Sequence, residues 1–416
     1  MTVEPILTTL AVLMLAKGLY GVLEGVRYLR YIRKHLESRP EPWLPPVSVV
    51  LPCKGLDFEL EKNVEAIFRQ LYPSFEVLIV TATAEDVAIE PLKRLAARFP
   101  GQVIRFVTAG ISPSRGEKVH NLIQAVAQTD PTSEVFVFTD SDSRPHLCWL
   151  RDLVTPLRDS EVGLSTGYRW YYPIRGNLAG VVRSVWNASV ATLLGDHRHN
   201  FAWGGSMAVR KSTFKHCHVL DYWQHSISDD YSMTQAMKDA KLRIHYEPRC
   251  LIGSFGHCGW SELLEWSTRQ LTLTKVYSRK LWQLALVSQW TFSLVWWWSL
   301  VGVGLGFFPI APGSIASLFW SADVQKYLLL AGLLFLFGAI RGWYRVRTIQ
   351  HLHPDHGSEI LDFWWGYVLL FPLTSTLTAY NLARSALTSS IEWRGVRYEF
   401  RASEISRIVR NEGART

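Results

Sequence analysis

The chain has 416 residues, a net charge of +8 and a hydrophobic fraction of 48%. Charged residues make up only 19%, below the roughly 25% of soluble domains, which argues against a wholly soluble protein. The basic residues cluster beside apolar runs, a pattern that favours contact with anionic lipid headgroups over nucleic acid. The five cysteines form no CxxC pair, so a reduced compartment is expected for the main domain.

The first predicted element is an apolar segment at 6–26, which at about 20 residues is long enough to cross a bilayer. No basic region precedes it and a basic cluster follows at 27–35, so it is not a cleaved signal peptide. The positive-inside rule places the N-terminus outside and the following residues in the cytoplasm. We therefore predict a transmembrane anchor at 1–35.

After a proline-rich linker, predicted strands alternate with predicted helices. The strands are expected at 47–52, 75–81, 102–107, 135–138 and near 162–170, and the helices at 59–71, 87–99 and 117–128. This alternation predicts βαβ units and an α/β fold with a Rossmann-like, mostly parallel sheet. We expect this cytoplasmic domain to occupy 45–258, with ligands at the carboxyl ends of its strands.

Polar residues follow three of the predicted strands: Lys54 after the first, Asp86 after the second, and Asp140 with Asp142 after the fourth. Residues i and i+2 at a strand end project to the same side, so both carboxylates of the Asp140-Ser141-Asp142 sequence can face one space. Such oxygens suit Mg²⁺ or Mn²⁺, which usually binds phosphate oxygens as well. Two aspartates that only end a strand in a polar turn are the simpler alternative, and the agreement of three strand ends counts against it.

Three further groups have a functional and a structural explanation each. Lys118 lies at the start of a predicted helix, where it can contact phosphate or form an ordinary solvated helix start. Gly204-Gly205 lets the backbone approach a ligand closely, and plain packing explains it nearly as well. His197 and His199 can contact a polar acceptor head or lie on a surface loop.

Ser228 is predicted to be the N-cap of a helix with Asp229 and Asp230 in its first turn. Acidic residues there stabilise the helix dipole. One of the two is also suited to act as a general base, because an ionised carboxylate can take the proton of an attacking hydroxyl. Spacing alone does not decide between these roles.

The segment 259–283 mixes apolar residues with cations, which is typical of an amphipathic helix at the membrane interface. Its residues Arg269 and Gln270 could also reach a diphosphate. A second mixed segment at 176–196 is another candidate for the interface.

Two long apolar segments, 284–308 and 324–340, are predicted to span the membrane. The apolar segment 361–387 contains Pro372, and we expect a re-entrant hairpin broken there, because a single span would place the basic tail outside. The transmembrane region is thus expected at 284–390 and a basic cytoplasmic tail at 391–416.

Taken together, these motifs resemble the membrane-bound glycosyltransferases of family 2, in particular the ceramide glucosyltransferases and their bacterial relatives. The resemblance covers about 47–282 and implies a GT-A fold that binds a UDP-sugar with Mg²⁺ or Mn²⁺. It implies the following roles: a nucleotide loop with Pro52 and Lys54, a base contact at Asp86, metal and diphosphate binding at Asp140 and Asp142, a catalytic base at Asp230, and acceptor contacts at Gly204 and Gly205.

Two departures from the family pattern matter. The ED pair of the family is Asp229-Asp230 here. The (Q/R)xxRW motif keeps Arg269 but has Thr272 and Leu273 in place of Arg and Trp. The resemblance implies that this Trp lies near the acceptor sugar in processive synthases, so its absence argues against a polymerase.

The resemblance implies one inverting, metal-dependent transfer of a sugar, with glucose favoured, from a UDP-sugar to the hydroxyl of a membrane lipid such as ceramide. Alternatives are transfer to diacylglycerol or a polyisoprenyl phosphate, a processive polysaccharide synthase, and an inactive membrane scaffold. We expect a multi-pass membrane protein with a cytoplasmic catalytic domain, in the bacterial inner membrane rather than the ER or Golgi.

Overall fold

The computed structural model describes residues 4–38, 40–305, 324–353, 357–401 and 404–410, and a seven-stranded sheet forms the centre of its larger domain. The strands are β1 (Val47–Pro52), β2 (Phe75–Thr81), β3 (Val103–Thr108), β4 (Val135–Thr139), β5 (Val162–Tyr171), β6 (Ser206–Arg210) and β7 (Arg243–Ser254). They lie in the order β3-β2-β1-β4-β6-β5-β7, and β1 to β4 are parallel. The predicted α/β class with a mostly parallel sheet is confirmed.

The strands β6 and β7 were not predicted. β6 runs antiparallel to both β4 and β5, and β7 runs parallel to β5. β6 places the preceding pair of glycines beside the end of β4, because Ser206 pairs with Thr139.

Helices cover both faces of the sheet. They are α2 (Leu60–Phe68), α3 (Ile89–Ala96), α4 (Glu117–Val126), α5 (Trp149–Val154), α6 (Leu178–Ala191), α7 (Lys211–His216), α8 (Val219–Trp223), α9 (Asp229–Asp239) and α10 (Trp260–Tyr277). In β1, Val49 and Leu51 pack into the layer of α2, α3 and α5, while Val50 packs into the layer of α4 and α9. This alternation follows from the two-residue period of a strand, and each fully buried aliphatic side chain contributes about 1.5–3 kcal/mol.

The segment 176–196, a candidate for the membrane interface, packs inside the protein. Its helix α6 is buried over most of its length. Val181 and Val185 pack in one cluster with Trp170 of β5, and Val182 packs against Leu263 of α10. The apolar residues of α6 are therefore explained by contacts within the protein.

Among the residues that the structure describes, three helices are long and apolar enough to cross a membrane: α1 (Glu4–Glu37), α11 (Arg279–Leu305) and α12 (Val324–Leu352). The last residues of the predicted span 284–308 lie outside the described residues. The chain continues with α13 (Gly357–Leu361), α14 (Trp364–Leu369) and α15 (Phe371–Leu387). The break between α14 and α15 lies at Leu370, and Pro372 occupies the first turn of α15, where its missing N–H is not needed.

The segment predicted as a basic tail forms an antiparallel sheet of β8 (Ser390–Trp393), β9 (Val396–Arg401) and β10 (Glu404–Arg410). Ile391, Val396 and Tyr398 pack in one cluster with Ile227 and with Leu273 of α10. The C-terminal sheet is thus attached to the larger domain, and residues 411–416 lie outside the described part.

Candidate functional site

A cavity of about 1660 Å³ lies between the carboxyl ends of the central strands and the membrane helices. Pro52 of β1 and the Asp140–Asp142 turn after β4 line one side, and Lys17 of α1 and Arg341 of α12 line another. Ligand pockets usually measure roughly 300–1,000 Å³. The cavity is therefore large enough for two ligands that meet inside it.

Lys118, in the first turn of α4, joins two carboxylates from distant parts of the chain. Its Nζ lies 2.8 Å from Asp140 Oδ1 and 3.0 Å from Asp229 Oδ2, and the side chain is 14% exposed. Burial alone would lower the pKa of Lys118, but Asp140, Asp229 and Asp230 outweigh it and raise that pKa. Lys118 is therefore a permanent cation that holds the end of β4 close to the start of α9.

The two carboxylates bound by Lys118 have opposite pKa shifts. Burial raises the pKa of Asp229 to about 6, against the effect of Lys118 and with help from Asp230. Burial also acts to raise the pKa of Asp140, but Lys118 and Arg169 overcome it and lower the value. Asp140 is thus the more firmly ionised of the two.

Arg169 of β5 is a site residue that the sequence did not reveal. Its Nη1 and Nη2 donate to Asp142 Oδ2 and Oδ1 at 2.9 and 2.7 Å, a bidentate pair of the strong kind. The guanidinium carbon also lies 5.0 Å from the centre of the Trp203 ring. Arg169 therefore fixes the side chain of the second aspartate in the Asp140–Asp142 turn.

The Asp140–Asp142 pair fits a divalent cation. Both carboxylates face a common point that Arg169 Nη2 occupies, 2.7 Å from Asp142 Oδ1 and 3.6 Å from Asp140 Oδ2, so a divalent ion bound by both would take the place of this nitrogen. A Cβ on Gly205 would lie 2.9 Å from Asp140 Oδ2, so glycine there leaves this oxygen uncovered. Two hard oxygen donors suit Mg²⁺ or Mn²⁺ and leave most of the coordination sphere to phosphate oxygens and water.

The loop after β1 is shaped by Asp86, which lies beside the cavity and not on its wall. Asp86 Oδ1 accepts hydrogen bonds from the backbone N–H groups of Gly55 and Ala88, at 3.0 and 2.9 Å. Gly55 has a φ of 66°, a conformation that favours glycine. Lys54 does line the cavity and lies 3.0 Å from Glu117.

Arg394, in the turn between β8 and β9, contacts the same loop. Its Nη1 donates to the carbonyl of Lys54 at 2.6 Å, and its Nη2 donates to Asp57 Oδ1 at 2.7 Å. The hydroxyl of Tyr398 accepts from the backbone N–H of Glu117 at 3.2 Å. Burial raises the pKa of Asp57, and Arg394 opposes this rise. The C-terminal sheet thus closes one side of the cavity, a role that a basic tail did not suggest.

Asp230 is positioned by the start of α9. The predicted N-cap is present, since Ser228 Oγ accepts from the backbone N–H of Tyr231 at 3.2 Å. Asp230 Oδ1 accepts from the same N–H at 2.8 Å, and Oδ2 accepts from the backbone N–H of Gly204 at 3.3 Å. Asp230 lines the cavity and forms no ion pair within the described part of the chain, so its carboxylate is available to a ligand.

Gly204 makes this arrangement possible. A Cβ at this position would lie 2.3 Å from Asp229 Oδ2 and 2.7 Å from Lys118 Nζ. Gly204 lines the cavity, whereas Gly205 lies behind Asp140. Both glycines therefore allow backbone and charged side chains to approach closely.

Arg269 and Gln270 of α10 line the cavity as well. Burial lowers the pKa of Arg269, which forms no ion pair with any residue that the structure describes. Its guanidinium carbon lies 5.6 Å from the centre of the Trp393 ring in β8. An indole therefore lies beside Arg269, although Leu273 occupies the position of the tryptophan in the (Q/R)xxRW motif.

His197 and His199 lie on the wall of the cavity, in the loop after α6. The backbone N–H of His199 donates to His197 Nδ1 at 3.2 Å, and the ring centres are 5.9 Å apart. Burial lowers the pKa of His197, which favours its neutral form.

Comparison with models of protein families gives a match over most of the chain. The model of the family described as "Glycosyl transferase family 21" matches residues 7–405. Ceramide glucosyltransferase 1 of Caenorhabditis elegans is 36% identical over 93 residues, which are 22% of this chain and 20% of that protein. Ceramide glucosyltransferase 3 of the same organism is 29% identical over 101 residues, 24% of this chain and 22% of that protein. The chain thus aligns with about a fifth of the length of these curated relatives.

Among solved structures, a mannosyltransferase from Pyrobaculum calidifontis in complex with GDP-Man and Mn²⁺ has a TM-score of 0.47 and 16% identity, covering 92% of this chain and 98% of that one. Glucosyl-3-phosphoglycerate synthase from Mycobacterium tuberculosis in complex with Mn²⁺ and UDP-Glc has a TM-score of 0.36 and 18% identity, covering 57% and 84%.

Proposed function

The chain belongs to glycosyltransferase family 21, and on that premise we propose that it transfers one glucose from a UDP-sugar to the hydroxyl of a membrane lipid such as ceramide. One observation carries the proposal. A single cavity is lined both by the carboxylates Asp140, Asp142 and Asp230 and by helices long enough to cross a membrane. A water-soluble donor and an amphiphilic acceptor can therefore meet there.

The donor is assigned to the end of the cavity at β1 and β4. Asp140 and Asp142 would hold Mg²⁺ or Mn²⁺, and an ion bound there supplies charge neutralisation for the departing diphosphate. Arg269, Lys54 and Gln270 line the same space, and Arg269 has no carboxylate partner in the described structure. A diphosphate would provide the anion that this half-buried guanidinium lacks. Asp86 would act indirectly, by fixing the loop that carries Lys54.

The chemical step is a single displacement. The acceptor hydroxyl oxygen bonds to the anomeric carbon while the bond to the diphosphate oxygen breaks, and UDP leaves with that electron pair. Asp230 takes the hydroxyl proton as general base. Attack on the side opposite the leaving group inverts the anomeric centre. Asp229 is less suited to this role, because it is 4% exposed and bound to Lys118.

The acceptor is assigned to the part of the wall that includes Gly204, His197, His199 and the residues of α1 and α12. Amphiphilic molecules fit this position, since their chains can remain between apolar helices while the hydroxyl reaches Asp230. Diacylglycerol meets the same requirement as ceramide.

The sequence-based division of the chain belongs to the same proposal. The domain at 45–258 would lie in the cytoplasm, with anchors at 1–35 and 284–390 and the helix of 259–283 at the interface. The basic cluster after the first apolar segment supports this orientation. The proposed location is the bacterial inner membrane rather than the ER or Golgi.

Replacement of the proposed base is the direct test. Asp230→Asn removes the proton acceptor but keeps the side-chain size, so we expect at least about a hundredfold loss of kcat with UDP binding retained. Sugar transfer to ceramide and diacylglycerol would be measured by mass spectrometry of the product, and UDP binding by calorimetry.

Asp239→Asn is the matched control, because Asp239 lies at the other end of α9, where its carboxylate accepts hydrogen bonds from Tyr222 and Gln235. Normal turnover by Asp230→Asn would exclude Asp230 as the base. A polymeric product from the wild-type chain would instead favour a processive synthase.

A further inference from the structure

The part of the cavity between α1 and α12 has an unbalanced charge. We call it the membrane end and define it by Lys17, Gly21, Arg341, Tyr344 and Arg345, all of which line the cavity. Three of the five carry a positive charge, although they lie on helices that are apolar enough to cross a bilayer. Charged side chains at such positions are costly and usually have a partner or a function.

Apart from Asp230, the described carboxylates elsewhere on the wall are each paired with a cation. At the sheet end, these pairs are Asp57 with Arg394, Glu117 with Lys54, Asp140 and Asp229 with Lys118, Asp142 with Arg169, and Glu262 with Arg183. Near the membrane end, Glu24 is paired with Arg27. Asp230, at the start of α9, is the described wall carboxylate that has no cation partner, and it accepts backbone hydrogen bonds from Tyr231 and Gly204 instead of an ion pair from the membrane end.

The contacts of these three cations do not replace an ion pair. Lys17 Nζ donates to the hydroxyl of Ser288, which is neutral. Arg341 Nε is buried without a hydrogen-bond partner. Arg345 is four residues further on the same face of α12, where two like charges repel. Within the described chain, neither arginine forms an ion pair, so the membrane end has two adjacent guanidinium groups without an anion.

The arginines are held in place by close packing of the two helices. A Cβ on Gly21 would lie 2.8 Å from both Cδ and Nη1 of Arg341, so a glycine at this position makes room for the guanidinium. On either side, a Cβ on Gly18 would lie 2.7 Å from Phe337, and one on Gly25 would lie 3.3 Å from Tyr344. If Arg341 only extended past the helix end into bulk water, its guanidinium would not need the space that Gly21 leaves.

We infer that the membrane end binds the phosphate group of an anionic lipid. Guanidinium groups form paired, charge-assisted hydrogen bonds with phosphate, and Lys17 would add a third cation. The lipid chain would then extend between the helices into the bilayer. This inference rests on the proposed function, because it names the chemical class of the amphiphile that shares the cavity with the sugar donor.

Two lipids that differ only in the phosphate provide the binding test. The full chain in detergent is mixed with dioleoyl phosphatidic acid or with dioleoylglycerol, and retained lipid is counted by native mass spectrometry. We expect the wild type to retain the phosphatidic acid at least about tenfold better, and Arg341→Gln/Arg345→Gln to lose most of this preference. Equal retention of both lipids by the wild type, or an unchanged preference in the variant, would overturn the inference.

Arg347→Gln is the control on the same helix, since Arg347 contacts Gln350 and does not line the cavity. It should keep the preference of the wild type. UDP binding by both variants shows whether each is folded, and a double variant that fails this check is replaced by the single variants Arg341→Lys and Arg345→Lys. Lysine keeps the charge but loses the bidentate geometry, so a partial loss is expected, and no loss in either lysine variant would overturn the role of the paired guanidinium groups.

A transfer assay in phosphatidylcholine nanodiscs identifies the source of the phosphate. If the acceptor itself carries it, labelled sugar appears on an added polyisoprenyl phosphate. If a neighbouring phospholipid carries it, sugar appears on ceramide or diacylglycerol, and phosphatidic acid stimulates this transfer in the wild type but not in Arg341→Gln/Arg345→Gln. If the rate of sugar transfer changes neither with the anionic lipid nor with the substitutions, the inference is contradicted. If the Asp230→Asn assay showed that Asp230 is not the base, the lipid-retention result would still stand. Each of the two proposals can therefore be refuted without the other.

Discussion

Asp229 and Asp230 are neighbours in the sequence, but their carboxylates have different surroundings. Asp229 is 4% exposed and lies 3.0 Å from Lys118 Nζ, so it stabilises the contact between α9 and α4. Asp230 instead accepts backbone hydrogen bonds from Tyr231 and Gly204. Sequence spacing left these two residues equivalent, because only the packing of α4 against the start of α9 decides which one meets the cation.

The raised pKa of Asp229 leads to a prediction about pH. Its folded pKa is about 6, above the ordinary value of 3.8, so the folded protein binds the proton more tightly than the unfolded chain. The stabilisation from this group is complete below about pH 4 and is lost as the pH rises through about 6. In Asp229→Asn we expect the free energy of unfolding to depend less on pH between about 4 and 6, as measured by denaturant unfolding in detergent.

Asp239→Asn serves here as well, because Asp239 lies on the exposed end of the same helix, and it should keep the wild-type dependence. An unchanged pH dependence in Asp229→Asn would show that this carboxylate does not titrate in that range.

Arg169 shows why part of the site could not be found from the sequence. The segment 162–170 was recognised as a strand, but nothing in it indicated that Arg169 faces Asp142. The pairing of β5 with β7 shifts register between Thr166 and Tyr168, and a Cβ on Gly167 would lie 2.0 Å from the carbonyl oxygen of Cys250. The direction of Arg169 thus depends on a strand about eighty residues away.

At the scale of secondary-structure elements, the β8–β9 hairpin has the clearest effect on the site. Its turn residues Arg394 and Gly395 have φ angles of 47° and 75°, and the turn places Arg394 against the loop after β1. Trp393 contacts Arg269 from the same hairpin. This element therefore connects the loop assigned to the nucleotide with the helix assigned to the diphosphate.

A substitution in this turn should affect the donor more than the chemical step. In Arg394→Ala, Asp57 loses its ion pair and the carbonyl of Lys54 loses a donor, so the loop is held less firmly. We expect the KM for the UDP-sugar to rise about tenfold, as for the loss of a charge-assisted contact of about 1.5 kcal/mol, with a smaller change in kcat. Steady-state kinetics with varied donor concentration measures this.

Arg397→Ala is the control in the same sheet, because Arg397 is 56% exposed and its ion pair is with Glu399. A KM that is equally raised in both variants would indicate a general effect on the C-terminal sheet.

The strands that could be predicted from the sequence are those whose own residues form a continuous apolar run. β1, β2 and β4 are apolar runs bounded by helices, and their burial follows directly from composition. β3 is an edge strand whose residues are mostly exposed or half-buried. β6 is only five residues long and follows two glycines, so its alternation is too short to predict a strand. β7 contains Pro248 with Glu247 and Arg249 beside it, and these residues hide a strand that is stabilised by pairing with β5.

At the scale of the whole molecule, the C-terminal sheet and the larger domain must lie on one side of the membrane, since Arg394 contacts Lys54 and Asp57. The N-terminal helix α1 joins the same assembly, because Tyr28 and Ile32 pack with Tyr246 of β7. The membrane helices and the sheet domain therefore form one packed body around the cavity.

This arrangement predicts the result of labelling from each side of the membrane. Glu85→Cys and Arg397→Cys, each in a Cys148→Ser background, place one exposed thiol on each of the two sheets. The other cysteines are buried. We expect a membrane-impermeant maleimide to reach both thiols from the same side of the membrane, which is the outer face of inside-out vesicles under the proposed cytoplasmic orientation. Labelling of the two positions from opposite sides would contradict the packed arrangement.

The contacts of Arg394 and Tyr398 also have a consequence for biosynthesis. The loop after β1 emerges early from the ribosome, whereas the hairpin that closes over it emerges near the end of translation. The candidate site is therefore incomplete for most of the time that the polypeptide is being inserted and folded. A premature stop codon just before β8 would leave every membrane helix and the whole seven-stranded sheet in place, yet remove the residues that finish the substrate pocket.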